Sequence, residues 1–117
     1  MNNISNIKQY TFALDLVNDP KLIMEYENYH RAVWPEIERS ILEAGVTKMQ
    51  IFRFENRLFM IMEVDDSFSF EKKAHMDTNN PKVQEWEQLM WKYQSAIPGG
   101  KENEKWVLMN KIFELKK

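Results

Sequence analysis

Along residues 9–17 apolar and polar positions alternate. Tyr10, Phe12, Leu14 and Leu16 fall on one side and Thr11 and Asp15 on the other, the period of a half-buried strand. Asn18-Asp19-Pro20 ends that pattern and starts a helix, with Asp19 as its cap and Pro20 at its first position. The helix runs to about Val33. Pro35 disfavours helical backbone at Trp34, so the chain breaks there and restarts. Ile37, Ile41 and Leu42 form the next apolar stripe, and Gly45 is a fitting stop. Residues 47–54 and 58–65 read as two strands joined by the polar turn Glu55-Asn56-Arg57, hence a hairpin. Ser67 is placed to cap a helix reaching about His75. After the turn ending at Pro81, residues 82–94 form a helix carrying Val83, Trp86, Leu89, Met90 and Tyr93. Residues 95–105 read as a glycine- and charge-rich loop, residues 106–115 as the last strand, and residues 1–8 as a loose polar tail.

The resulting order, β-α-β-β-α-β, predicts one α+β domain over residues 1–117, a ferredoxin-like sandwich with helices on one face of the sheet. The strands are apolar on both faces. Phe59 and Ile61 oppose Leu58, Met60 and Met62, and Val107, Met109 and Phe113 oppose Leu108 and Ile112. A single copy would leave a large apolar patch in water. A homodimer packed sheet to sheet is therefore expected.

Composition narrows the chemistry. The chain has 117 residues and no cysteine. Disulfides, thiol nucleophiles and cysteine zinc sites are out, and with only His30 and His75 a three-histidine zinc site is out as well. Three glycines cannot build a phosphate-binding loop. A net charge of −2 without a basic block argues against nucleic acid. No apolar run is long enough to span a bilayer, and the polar first residues do not resemble a signal peptide, so no membrane contact and a cytoplasmic location are expected. No metal or cofactor is expected.

The segment EYENYHRAVWPEI carries the candidate chemistry. Tyr26 and His30 lie four apart, drifting only about 40° around the helix, so they share a face, and Trp34 follows four later. Aromatic faces pack on the C–H patches of a sugar, while a phenol and an imidazole address its hydroxyls. Histidine gives and takes protons near neutrality. On spacing alone, a structural His30 beside core aromatics is the commoner arrangement, and His75 reads as solvated. Trp86, Met90 and Tyr93 share a face that is more often core than pocket. Glu87 reads as solvated, and Glu63, in an apolar strand, is the oddest carboxylate.

The block YENYHRAVWPEI with Gly45 after it, the strand FMIMEV and the helix VQEW resemble the L-rhamnose mutarotase family over about residues 10–98. The resemblance implies a ferredoxin-like fold dimerising into an α+β barrel. It also implies an isomerase of the racemase/epimerase class that interconverts the anomers of a deoxyhexose, L-rhamnose or a relative such as L-fucose, without metal or cofactor. It puts the catalytic proton donor on His30, a substrate-binding tyrosine on Tyr26 and a tryptophan of the sugar pocket on Trp86. Two positions depart from the rhamnose-type pattern: Met49 stands for a second tyrosine, and Trp86-Glu87 for a tryptophan pair. Other roles open to such a dimeric barrel are a cofactor-free oxygenase, a haem protein with His30 as axial ligand, or a non-catalytic sugar-binding dimer.

Overall fold

The computed structural model describes residues 8–101 and 104–117. The elements run β1 (Lys8–Leu16), α1 (Pro20–Arg31), α2 (Pro35–Glu43), β2 (Val46–Phe54), β3 (Arg57–Val64), α3 (Phe70–Thr78), α4 (Pro81–Trp91), β4 (Gln94–Ser95) and β5 (Val107–Leu108). The sheet order is β2-β3-β1-β4, with β5 also on β1. Every pairing is antiparallel. This is the expected ferredoxin-like arrangement, with each crossover helix broken in two.

The helix boundaries follow local chemistry. The Asp19 carboxylate accepts from the backbone N–H groups of Lys21 and Leu22, and Pro20 takes the position where a missing N–H costs nothing. Asn80 and Pro81 repeat that device at α4. Gly45 has φ of +102°, and a Cβ there would lie 2.6 Å from Ser67 Oγ. Only glycine serves both demands.

Tyr26, Leu14, Leu16, Leu58, Val83, Trp86 and Met90 form the main core between sheet and helices, and Phe12, Met60, Met62 and Val64 continue it. The opposite face carries Phe59 and Ile61, half-buried, and Phe52, exposed. It also carries Asp15, which Arg57 grips through two N–H groups at 2.8 and 3.2 Å.

Four expectations are corrected. Lys8 is the first residue of β1 rather than tail, while residues 1–7 of the expected tail lie outside the described residues. Helix α3 is capped by Ser69, not Ser67, because Ser67 is held in a turn by the Asp65 carboxylate. Helix α4 ends at Trp91 rather than Gln94, and Gln94 leaves the expected helix to pair with Leu16 in β4, joined by Ser95 from the expected loop. The last strand is two residues long: Met109 N–H still reaches Thr11 O at 2.8 Å, after which the chain leaves the sheet. Alternation in residues 106–115 signals burial without saying against what. Among the described residues none covers Ile112, Phe113 or Leu115.

Candidate functional site

Between the sheet and the helices lies a cavity of about 340 Å³, at the small end of the roughly 300–1,000 Å³ typical of small-molecule sites. Its floor is the helix-facing side of the sheet, with Phe12, Met49, Ile51, Met60 and Met62. Helix α1 supplies Tyr26 and His30, and α4 supplies Trp86, Glu87 and Met90. Gln94 and Trp106 close the remaining side. The three residues expected in the site, His30, Tyr26 and Trp86, all line this one space.

His30 sits in the last turn of α1, where Nδ1 lies 2.9 Å from Tyr26 O. A carbonyl only accepts, so Nδ1 carries the proton and Nε2 keeps its lone pair. The imidazole stacks obliquely on the Tyr26 ring, centroids 4.4 Å apart, and meets the edge of Trp86 at 5.6 Å. Burial among these rings lowers the His30 pKa below its ordinary 6.5, against the smaller opposing effect of the Tyr26 carbonyl. The resting imidazole is neutral at pH 7.

Burial also pushes the Tyr26 phenol up to about 12, countered in part by the Gln94 side chain at its oxygen. Tyr26 is therefore a neutral hydroxyl at any physiological pH. Trp86 is wedged by Trp34, 5.0 Å away and steeply tilted, and by Tyr29 at 6.3 Å. The Tyr93 hydroxyl donates to Glu25 at 3.0 Å, tying the end of α4 back to α1. Such locking fixes the geometry of the side chains that face the cavity.

Two ion pairs add polarity to an otherwise apolar lining. Lys73 meets Asp77 at 2.6 Å across one turn of α3, and Lys105 meets Glu87 at 3.5 Å. Lys105 also lies over the Trp91 ring at 4.7 Å. The reading of Glu87 as solvated is thus corrected: it is half-buried, paired and part of the cavity wall. The Trp86 and Met90 face is core and pocket wall together. Glu63 faces the other side of the sheet, between Gln9 and Lys48, away from the cavity. His75 is exposed on α3, as expected. Sequence reasoning missed Gln94, Lys73, Asp77, Lys105 and Trp106. No pattern in the sequence singles these five out, Gln94 falling at the end of the expected 82–94 helix.

A family model described as L-rhamnose mutarotase matches residues 9–115. A protein named L-fucose mutarotase from Xanthomonas campestris pv. campestris is 40% identical over 112 residues, covering 94% of this chain and 90% of its own. An L-rhamnose mutarotase from Paraburkholderia phytofirmans is 29% identical over 90 residues, covering 74% of this chain and 76% of its own. Among solved structures, an L-rhamnose mutarotase from Formosa agariphila superposes with a TM-score of 0.67 at 22% identity, over 93% of this chain and 99% of that one.

Proposed function

Since the chain belongs to the L-rhamnose mutarotase family and is a sugar mutarotase, we propose that it exchanges the anomers of L-fucose, or a close 6-deoxyhexose, with His30 moving the proton. The observation that carries this reading is the fixed tautomer of His30. Nδ1–H is committed to Tyr26 O, and the neutral ring lines an apolar cavity beside Trp86.

In that pose Nε2 takes the proton from the anomeric hydroxyl. The C1–O1 bond becomes a carbonyl as the bond from C1 to the ring oxygen breaks. The imidazolium then returns the same proton to the ring oxygen, which lies close to the oxygen it came from. Rotation about C1–C2 presents the other carbonyl face, and the reverse steps close the opposite anomer. His30 thus acts as a proton donor only after it has accepted one, which suits a buried imidazole that rests neutral. Tyr26 donates its hydroxyl to the sugar, and the Trp86 ring covers an apolar sugar face.

The greater identity to the relative named for L-fucose favours that sugar over L-rhamnose. So do Met49 and Glu87, both in the cavity wall. We assign the working form as a homodimer: Phe52, Phe54, Ile112, Phe113 and Leu115 are all exposed and bulky, at the sheet's free edge and on the tail. A cysteine-free chain suits the cytoplasm. Saturation-transfer NMR on L-fucose, L-rhamnose and D-glucose tests the assignment. Faster anomer exchange for L-fucose than for the others is the expected result, and no acceleration of any sugar overturns it.

A further inference from the structure

Gln94 follows α4 at the point where the chain joins the sheet edge as β4. Its backbone pairs with Leu16 of β1, so its place in the fold does not depend on its side chain. That side chain is only 8% exposed and lines the cavity. Its amide lies beside the Tyr26 oxygen, and its Oε1 is the one buried side-chain polar atom without a hydrogen-bond partner among the described residues. A buried acceptor left unmade is costly, and native proteins satisfy nearly all of them. Turning the amide over would put an orphan donor in place of the orphan acceptor, and a hydroxyl, which both donates and accepts, completes either.

The surroundings say what completes it. The cavity lining is largely aromatic and aliphatic, Trp86, Met90, Phe12 and Trp106 among it, and no described residue donates to Oε1. A charged ligand group would have to be stripped of water at high cost beside these rings. A neutral hydroxyl has the right polarity, and it can donate to Oε1 while accepting from Tyr26. We propose that Gln94 is a substrate-binding residue that accepts a hydrogen bond from a ring hydroxyl of the sugar, working as a pair with Tyr26. This rests on the reading of the cavity as a sugar site. It adds a specificity element: sugars lacking that hydroxyl, or presenting it on the other face, leave Oε1 orphaned.

The variant Gln94→Leu removes the orphan without removing bulk. Thermal melting, anomer exchange and sugar binding by Trp fluorescence are measured on the intact protein with L-fucose and its 2-, 3- and 4-deoxy analogues. The expected result is an unchanged or higher Tm, together with about tenfold weaker binding and a higher KM for L-fucose. One deoxy analogue should bind wild type and variant alike. Gln94→Met serves in the same way should the branched side chain impair folding. L-fucose binding within twofold of wild type, or a lower Tm with an unchanged KM, overturns the role. If the wild type binds L-fucose without exchanging its anomers, the catalytic reading fails while the binding comparison still decides the case of Gln94.

Discussion

His30 donates its Nδ1 proton to the carbonyl of Tyr26, one helical turn earlier, at 2.9 Å. The same i, i+4 spacing that stacks the two rings therefore also fixes the tautomer. Burial lowers the His30 pKa, so the folded protein prefers the neutral ring and the unfolded chain binds the extra proton first. Stability from this source is complete above pH 6.5. It declines as pH falls below 6.5 and stops declining once the folded ring is itself protonated. Urea unfolding from pH 7.5 to 5 is expected to show that loss in the wild type and a shallower one in His30→Ala. The acid limb of kcat/KM should have its midpoint below 6.5. A midpoint above 6.5 contradicts a resting neutral base.

On the proposed mechanism, replacing His30 removes the proton shuttle. His30→Ala should lower catalysed anomer exchange by about 10²- to 10⁴-fold, with an unchanged circular dichroism spectrum and an unchanged sedimentation coefficient. Activity within twofold of wild type would take the proton-transfer role away from His30.

Much of this geometry was legible because it is local. Tyr26 and His30 meet through helical spacing, Asp19 and Pro20 start α1 by known cap chemistry, and the hairpin of β2 and β3 follows from alternation around a polar turn. What could not be read is what joins distant segments. Lys105 reaches Glu87, and Gln94 reaches Tyr26, only because the chain returns to the edge of β1 after α4. The Ser67 cap was misplaced because Asp65, two residues earlier, competes for the same hydroxyl and N–H. The tail after Met109 carries a strand's alternation, yet none of the described residues covers Ile112, Phe113 or Leu115.

That uncovered tail makes association a measurable property. Ile112, Phe113 and Leu115, with Phe52 and Phe54, are bulky apolar side chains exposed among the described residues, the kind of surface that association covers. Sedimentation velocity at micromolar concentration should report about twice the monomer mass. Removal of residues 111–117 should shift the population towards monomer. A monomer at that concentration for the intact chain would refute the dimer.

Gly45 joins α2 to β2 under two constraints. Its φ of +102° is a region that L side chains rarely adopt, and Ser67 Oγ and Asp65 Oδ1 would lie 2.6 and 2.9 Å from any Cβ. Gly45→Ala should therefore cost about 2 kcal/mol, of which about 1 is backbone strain and the rest displacement of the turn after β3. Denaturant unfolding measures it. A loss below about 0.5 kcal/mol would mean that the turn moves aside freely. Because β2 carries Met49 and Ile51 into the cavity, the same variant should also raise KM.

Met49 on β2 and Glu87 on α4 both line the cavity, and on the proposed sugar reading they bear on sugar choice. Met49 extends from β2 with no hydroxyl to offer, and Glu87 is held by Lys105, itself stacked on Trp91. Where rhamnose-type members place a tyrosine and a second tryptophan, this wall is apolar on one side and ionic on the other. Met49→Tyr adds one hydrogen-bonding group, and Glu87→Trp replaces the ion pair with a stacking surface. Each should move the ratio of kcat/KM for L-rhamnose over L-fucose upward, by about 5- to 20-fold on the scale of one gained hydrogen bond to a substrate. The two sites lie on different elements, so the double variant should approach the product of the single effects. Anomer-exchange rates for both sugars, measured side by side, decide this. An unchanged ratio in the double variant would show that sugar choice is set elsewhere in the cavity.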